Sequence, residues 1–218
     1  MKKAVIFDFD GLIVDTESLW FEVFKEVMCD YDCDLQLSEF ATCIGTTNGM
    51  LYETLNSLAG RSLDRNEIKE KTSKLYESKA HILQLREGVI DYLEAAKRNG
   101  LQIGLASSSS RAWVDRFLNQ FQIAHYFKVI KTSDDVDQVK PHPELYIEAV
   151  KALGVNPEHV FAFEDSLNGL KAAIGAELDC VIVPNNVTRF LSFEGHIYEI
   201  QSMKEIHFDQ LLQHISMS

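Results

Sequence analysis

The chain has 218 residues, 46% of them hydrophobic, enough for a sizeable core in one large domain or two small ones. Its 21 basic and 33 acidic residues leave a net charge of −12, which argues against nucleic acid or an anionic membrane as the main partner. No apolar run approaches the roughly 18 residues of a membrane span. Asp8 and Asp10 fall where the apolar segment of a signal peptide would follow Lys2 and Lys3. Cys29, Cys33, Cys43 and Cys180 form no CxxC pair and read as free thiols in a reducing cytoplasm, and a monomer is expected.

In chain order, Lys3 to Phe7 reads as a short buried strand ended by charge and Gly11. From Thr16 to about Met28, Leu19, Trp20, Val23, Phe24 and Val27 recur at helical spacing. Ser38, Gly45 and Asn48 punctuate the next stretch, and helices are expected from about Gly49 to Leu58 and from Asp64 to Leu83. Residues 15–85 thus look all-helical. The pattern then changes. Val89 to Arg98 is a helix stopped by Asn99-Gly100, Leu101 to Ala106 a buried strand, and Trp113 to Phe121 a helix after the run SSSS. Strands are predicted at Phe127 to Ile130, Val160 to Phe163 and Asp179 to Val183. Helices are predicted at Pro143 to Leu153, from Asp165-Ser166 to about Ile174, and at Met203 to Ile215.

Strands alternating with helices at this spacing indicate an α/β fold, βαβ units around a parallel sheet, with the helical stretch inserted after strand one. Ligands of such sheets bind beyond the carboxyl ends of the strands. Asp8, Asp10 and Gly11 follow strand one, Ser107, Ser108 and Ser109 follow strand two, Lys140 comes past strand three, and Glu164 and Asp165 follow strand four. Taken singly, DxDG can be an acidic turn, the serines and Asp165 helix caps, and Lys140 a solvated loop residue. Asp134, Asp135 and Asp137 read as a solvated acidic loop. Polar groups at four strand ends are a different matter, because all four converge on one crevice.

Asp8, Asp10, Glu164 and Asp165 together imply a hard cation with oxygen ligands, and Mg²⁺ is the choice. Lys140 and the Ser107 hydroxyl can bind an anion beside it, a set that fits phosphoryl transfer. An aspartate needs no activating base, being ionised above its ordinary pKa of about 3.9, and can attack phosphorus to form an aspartyl-phosphate. A phosphate approaching a carboxylate at ~4 Å costs about 4 kcal/mol per charge pair at an effective dielectric near 20. Mg²⁺ and Lys140 offset that locally. The second carboxylate can give a proton to the leaving oxygen and later take one from water.

With these motifs in view, the sequence resembles the haloacid dehalogenase superfamily, in its β-phosphoglucomutase-like and sugar-phosphate phosphatase branch. FDFDGLIVDTE, GLASSSS, VKPHPELY and FAFEDSLNG stand in that family's order across nearly the whole chain. The resemblance implies a Rossmann-like core, residues 1–14 and 86–218, with a helical cap at 15–85. It implies Asp8 as nucleophile and Asp10 as acid and base. Ser107, with Ser108 and Gly11 beside the site, and Lys140 would hold the phosphoryl group. Asp8, Asp165, Glu164 and the Asp10 carbonyl would ligate or orient Mg²⁺, with Glu164 either in direct contact or behind the ligands. Glu17 contacts substrate or simply favours a helix start.

Asp10 argues against dehalogenases and phosphonatases, which lack aspartate there. The mutases of this branch carry a basic residue near the position of Asn48 and a histidine near that of Trp20. Cys43 to Asn48 offers no cation, and that points to a phosphatase of small phosphorylated metabolites rather than a mutase. Trp20 is either substrate surface or core of the cap. A phospho-acceptor signalling domain and a catalytically silent binding protein are the rival classes, separated from the enzyme by phosphate release with turnover.

Overall fold

The computed structural model describes residues 1–44 and 48–217. Six strands form one parallel sheet: β1 (Ala4–Phe7), β2 (Gln102–Ala106), β3 (Val129–Lys131), β4 (Val160–Glu164), β5 (Asp179–Ile182) and β6 (Tyr198–Glu199), in the order β3-β2-β1-β4-β5-β6. From β1 the chain builds outward through β2 and β3, then crosses back to β4 and builds the other way. The reversal lies beside β1, and parallel sheets open a ligand crevice at such a point. Phe7 is in register with Leu105 and Phe163, so the loops leaving β1, β2 and β4 emerge side by side.

Strand side chains alternate between faces, and both faces are buried. Val5, Phe7, Leu105, Phe161 and Phe163 pack against α5 (Val89–Arg98), α6 (Arg111–Gln120) and α9 (Phe208–Met217) through residues such as Leu93, Phe117 and Leu211. Ala4, Ile6, Ala162 and Ile182 pack against α7 (Glu144–Leu153) and α8 (Leu167–Gly175) through Leu145, Ala149 and Leu170. Burial on both sides explains why these strands read as continuous apolar runs.

Between β1 and α5 the chain forms α1 (Thr16–Cys29), α2 (Leu37–Ala41), α3 (Asn48–Ala59) and α4 (Arg65–Lys79). Phe24, Met28, Leu35, Phe40, Leu55 and Ile68 give these helices a hydrophobic centre of their own. Val14 and Leu85 meet in an antiparallel bridge where the chain leaves the sheet and returns to it. A run of rings, Phe40, Phe24, Trp20, Tyr76, Trp113 and Phe117, links the inserted helices to the core, with Trp20 and Tyr76 stacked at 4.0 Å between centroids.

Several elements depart from the sequence expectation: α4 ends at Lys79 rather than Leu83, and β3 starts at Val129 rather than Phe127. Helix α2 was not predicted; Gln36 and Glu39 form a reciprocal capping box that starts it. Strand β6, two residues at the sheet edge, is too short for periodicity to mark. Helix α9 begins at Phe208 rather than Met203, whose side chain is buried against the main core. The stretch from Cys43 to Asn48, which lacks a basic residue, falls partly at positions 45–47, outside the described residues, as does the side chain of Asn48.

Candidate active site

Asp8 leaves β1 with its amide bound to the Phe163 carbonyl at 3.0 Å, which sets its side chain beside the end of β4. Lys140 reaches the same point from the loop after β3. Its ammonium donates to Asp8 Oδ1, to Glu164 Oε1 at 2.7 Å and to the Ala106 carbonyl at 2.7 Å. Glu164 is fully buried; besides Lys140 it accepts from the Tyr146 hydroxyl at 2.6 Å and from the Asp165 amide at 3.2 Å. Asp165 accepts from Asn185 Nδ2 at 2.7 Å. Carboxylate oxygens of Asp8, Glu164 and Asp165 all lie within 4.8 Å of one another.

Of these three buried carboxylates, Asp8 and Glu164 share one ammonium, while Asp165 is held by Asn185. Burial first, then the neighbouring carboxylates of Glu164 and Asp10, raise Asp8 to about 8 although Lys140 pulls it down. Burial, then Asp8 and Glu164, raise Asp165 as well, against the pull of Arg86. The same two partners, Asp8 and Glu164, hold Lys140 charged against the cost of burying it. A cluster short of positive charge, with oxygen ligands only, fits a hard divalent cation such as Mg²⁺. Asp8 and Asp165 stand on the wall of the adjoining cavity, while Glu164 lies behind them.

Asp10 is held differently. Its Oδ1 accepts from Thr16 Oγ1 at 3.0 Å and Trp113 Nε1 at 2.9 Å; its Oδ2 accepts from Ser107 Oγ at 3.2 Å and Ser109 Oγ at 2.7 Å. Ser107 is buried and also accepts from the Ser109 amide at 3.0 Å, so its hydroxyl is turned toward Asp10. Ser108 is exposed on the cavity wall. Gly11 has φ of +79°, and a Cβ there would come within 2.3 Å of Asp165 Oδ2, so the turn takes glycine for conformation and for space. Its carbonyl accepts from Arg86 at 2.7 Å. Gly169 lets the first turn of α8 close over Glu164, whose carboxyl would sit 1.9 Å from an added Cβ.

The cavity, of about 740 Å³, runs from Asp8, Asp10, Lys140 and Asp165 up to Trp20, Arg65 and Lys69 of the inserted helices. Glu17 stands in its wall; burial, then the charges of Asp10, Asp8 and Asp15, raise its carboxyl to about 8. Trp20 lines the cavity and packs on Phe24 and Tyr76.

The structure thus brings together every residue singled out from the sequence: Asp8, Asp10, Gly11, Glu17, Ser107, Ser108, Lys140, Glu164 and Asp165. Sequence pattern marks Ser109 only as one of the serines after strand two, and it does not mark Thr16, Arg86, Trp113, Tyr146 or Asn185 as site residues. Asn185 was within reach, because it directly follows the β5 strand and Pro184, where the strand-end rule applies. Trp113 and Tyr146 lie inside helices, where an aromatic residue reads as core.

A family model described as haloacid dehalogenase-like hydrolase matches residues 5–183. YhcW of Bacillus subtilis, a candidate phosphatase, is 45% identical over 217 residues, 99% of each chain. Hexitol phosphatase B of Escherichia coli is 30% identical over 186 residues, 83% of each chain. A crystal structure of CbbY from Rhodobacter sphaeroides in complex with xylulose-(1,5)bisphosphate is 30% identical, covers 94% of this chain and 96% of its own, and superposes with a TM-score of 0.74. The sheet order, the acidic cluster after β1 and β4, and these matches agree: the chain belongs to the haloacid dehalogenase-like hydrolases.

Proposed function

We propose that this protein is a Mg²⁺-dependent phosphatase of small phosphorylated metabolites, sugar phosphates foremost, acting through an aspartyl-phosphate. The observation that carries this is the division of labour between the two aspartates of the first motif. Asp8 is bound by an ammonium and sits in the acidic cluster; Asp10 is gripped by hydroxyls and an indole and keeps clear of Lys140.

In this reading an Asp8 oxygen attacks phosphorus while the bond to the leaving oxygen breaks, and Asp10 gives that oxygen a proton. Asp10 then takes a proton from the water that attacks the aspartyl-phosphate, releasing phosphate and restoring Asp8. A hydroxyl can turn from donor to acceptor, but an indole N–H cannot. Trp113 therefore keeps Oδ1 as an acceptor, and the proton belongs on Oδ2, between Ser107 and Ser109. Lys140 neutralises charge on the phosphoryl group, and Glu164 and Tyr146 hold Lys140 in place. Asp8, Asp165 and the Asp10 carbonyl would hold Mg²⁺, with Glu164 behind them. When bound, the cation offsets the carboxylates and polarises the phosphoryl oxygens.

The cap of this reading spans residues 15–85, a boundary supported by the bridge between Val14 and Leu85. The free thiols of Cys29, Cys33 and Cys180 support a reducing, cytoplasmic setting, and in this reading the enzyme acts as a monomer. Among the described residues no helix is long and apolar enough to cross a membrane. The test is phosphate release from a panel of phosphorylated sugars and nucleotides with Mg²⁺. β-Glucose 1-phosphate is included, and both products are followed. Free phosphate without isomer is expected; glucose 6-phosphate forming much faster than free phosphate would make the protein a mutase.

A further inference from the structure

Arg86 lies where the chain returns from the inserted helices, its amide bound to the Ile13 carbonyl at 2.9 Å. Its guanidinium ties together two segments far apart in sequence. Nη1 donates to the carbonyls of Gly11 at 2.7 Å and Val183 at 2.9 Å, and Nη2 donates to that of Pro184 at 2.6 Å. Gly11 lies in the turn beyond β1, Val183 and Pro184 lie just past β5, and all three residues are buried. Among the described residues this half-buried guanidinium forms no ion pair; it is spent on backbone carbonyls. A planar fork that holds three acceptors fixes their relative places, which a point charge on a flexible stem does not.

Both segments lead to the metal end of the site. Gly11 directly follows Asp10, whose carbonyl is one of the oxygens assigned to the cation. Pro184 directly precedes Asn185, whose Nδ2 donates to Asp165 Oδ2 at 2.7 Å and stands 3.4 Å from the Gly11 carbonyl. There is no slack between these groups. A Cβ on Gly11 would come within 2.3 Å of Asp165 Oδ2 and 2.6 Å of Asn185 Nδ2. In packing this close, a shift of the Gly11 turn or of Pro184 is passed on to Asp165 rather than absorbed. Lys140 organises Asp8 and Glu164 on one side of the cluster, and Arg86 stands behind Asp165 on the other. Resting on the phosphatase reading above, we infer that Arg86 is a positioning residue for the cation: by clamping the Gly11 turn to the end of β5, it fixes Asp165 and the Asp10 carbonyl where they bind Mg²⁺. Mg²⁺ demands near-ideal octahedral geometry, whereas Ca²⁺ accepts a looser shell. The clamp therefore sets selectivity for Mg²⁺ as well as affinity.

The test is calorimetric titration of metal-free protein with Mg²⁺ and, separately, with Ca²⁺, without substrate. Loss of a positive charge near the site would by itself tighten cation binding, so the sign of the effect separates charge from positioning. Mg²⁺ affinity should fall about ten- to a hundredfold in Arg86→Met, the range for groups that orient metal ligands. Ca²⁺ affinity should fall less, lowering the Mg²⁺/Ca²⁺ affinity ratio by about threefold or more. Arg86→Lys, which keeps the charge without the fork, should lie between Arg86→Met and wild type. Arg98→Met, which removes an exposed arginine paired with Asp209, should match wild type. If Arg86→Met does not fold, Asn185→Ala cuts the link to Asp165 with Arg86 in place and should lower the same ratio. A merely structural role would lower the melting temperature in chelator and leave both affinities of the folded protein unchanged. That result, or tighter Mg²⁺ binding in Arg86→Met, would overturn the inference. The expected losses of cation binding in a protein that releases no phosphate from any sugar phosphate would defeat the catalytic reading alone. Wild-type protein that binds no Mg²⁺ would overturn both.

Discussion

Replacing Lys140 by Met removes a charge while nearly keeping the shape of the stem. The ammonium it deletes is the shared partner of Asp8 and Glu164 and also donates to the Ala106 carbonyl, at a site only 7% exposed. Breaking a buried pair from one side costs about 3–5 kcal/mol, because the remaining charge stays buried. For a chain of this size that corresponds to a fall of about 6–20 °C in Tm. The pH dependence is the sharper signature. Asp8 already titrates near 8 with Lys140 present, and without it the carboxyl holds its proton to still higher pH. The folded variant therefore takes up a proton on acidification that relieves the unpaired charge, so its deficit is largest above about pH 8 and narrows toward about pH 6. Added Mg²⁺ should also narrow it, by supplying positive charge to the same carboxylates. The assay is thermal melting of wild type and Lys140→Met across that range, with chelator and with Mg²⁺. A Tm within about 2 °C of wild type at the alkaline end, or a deficit that does not vary with pH, would show that Lys140 is not the electrostatic keystone of the cluster.

Asp8→Asn should abolish phosphate release while keeping the far-UV circular dichroism of wild type, since an amide cannot attack phosphorus and one repulsive carboxylate is gone; activity within tenfold of wild type would remove Asp8 from the nucleophile's role. Trp113→Phe keeps the ring contact with Phe117 but removes the donor to Asp10 Oδ1. Under single turnover it should slow hydrolysis of alkyl phosphates more than of aryl phosphates, which need less help from an acid; equal slowing would deny Trp113 its part in placing the proton. In metal-free protein Glu17, raised to about 8, contributes stability that is fully present below its unfolded pKa of about 4.5 and lost as pH rises through 8. Melting temperature should therefore fall from mildly acidic to alkaline pH, and fall less steeply in Glu17→Gln; parallel curves would mean Glu17 is not held neutral by its neighbours.

Much of this molecule is local in origin. Each buried strand is a run of apolar residues ended by a polar group, and each helix keeps its apolar period, so strand and helix order follow from short-range pattern. The rule that parallel sheets bind at their carboxyl ends then carries Asp8, Asp10, Ser107, Lys140, Glu164 and Asp165 to one place without coordinates. The same rule extended past Pro184 reaches Asn185. What pattern does not contain is which oxygen faces which donor. Ser107 donates to Asp10, because Asp10 is the acceptor that the loop after β2 meets in the folded chain.

Trp113 and Tyr146 are legible only as apolar members of α6 and α7. Their polar tips find Asp10 and Glu164 because the packing of those helices on opposite faces of the sheet aims them there. The charges of α4 look in sequence like a solvated face. Only when the helix is docked over the sheet do Lys69 and Arg65 stand on the wall of the cavity. The sequence by itself determined the elements, their order and the carboxylates at the sheet's edge, since these depend on neighbours a few residues apart. Tertiary structure alone decided the partners of Asp10, the position of Glu164 behind the cavity wall and the polarity of the cavity, since each depends on contacts between segments distant along the chain.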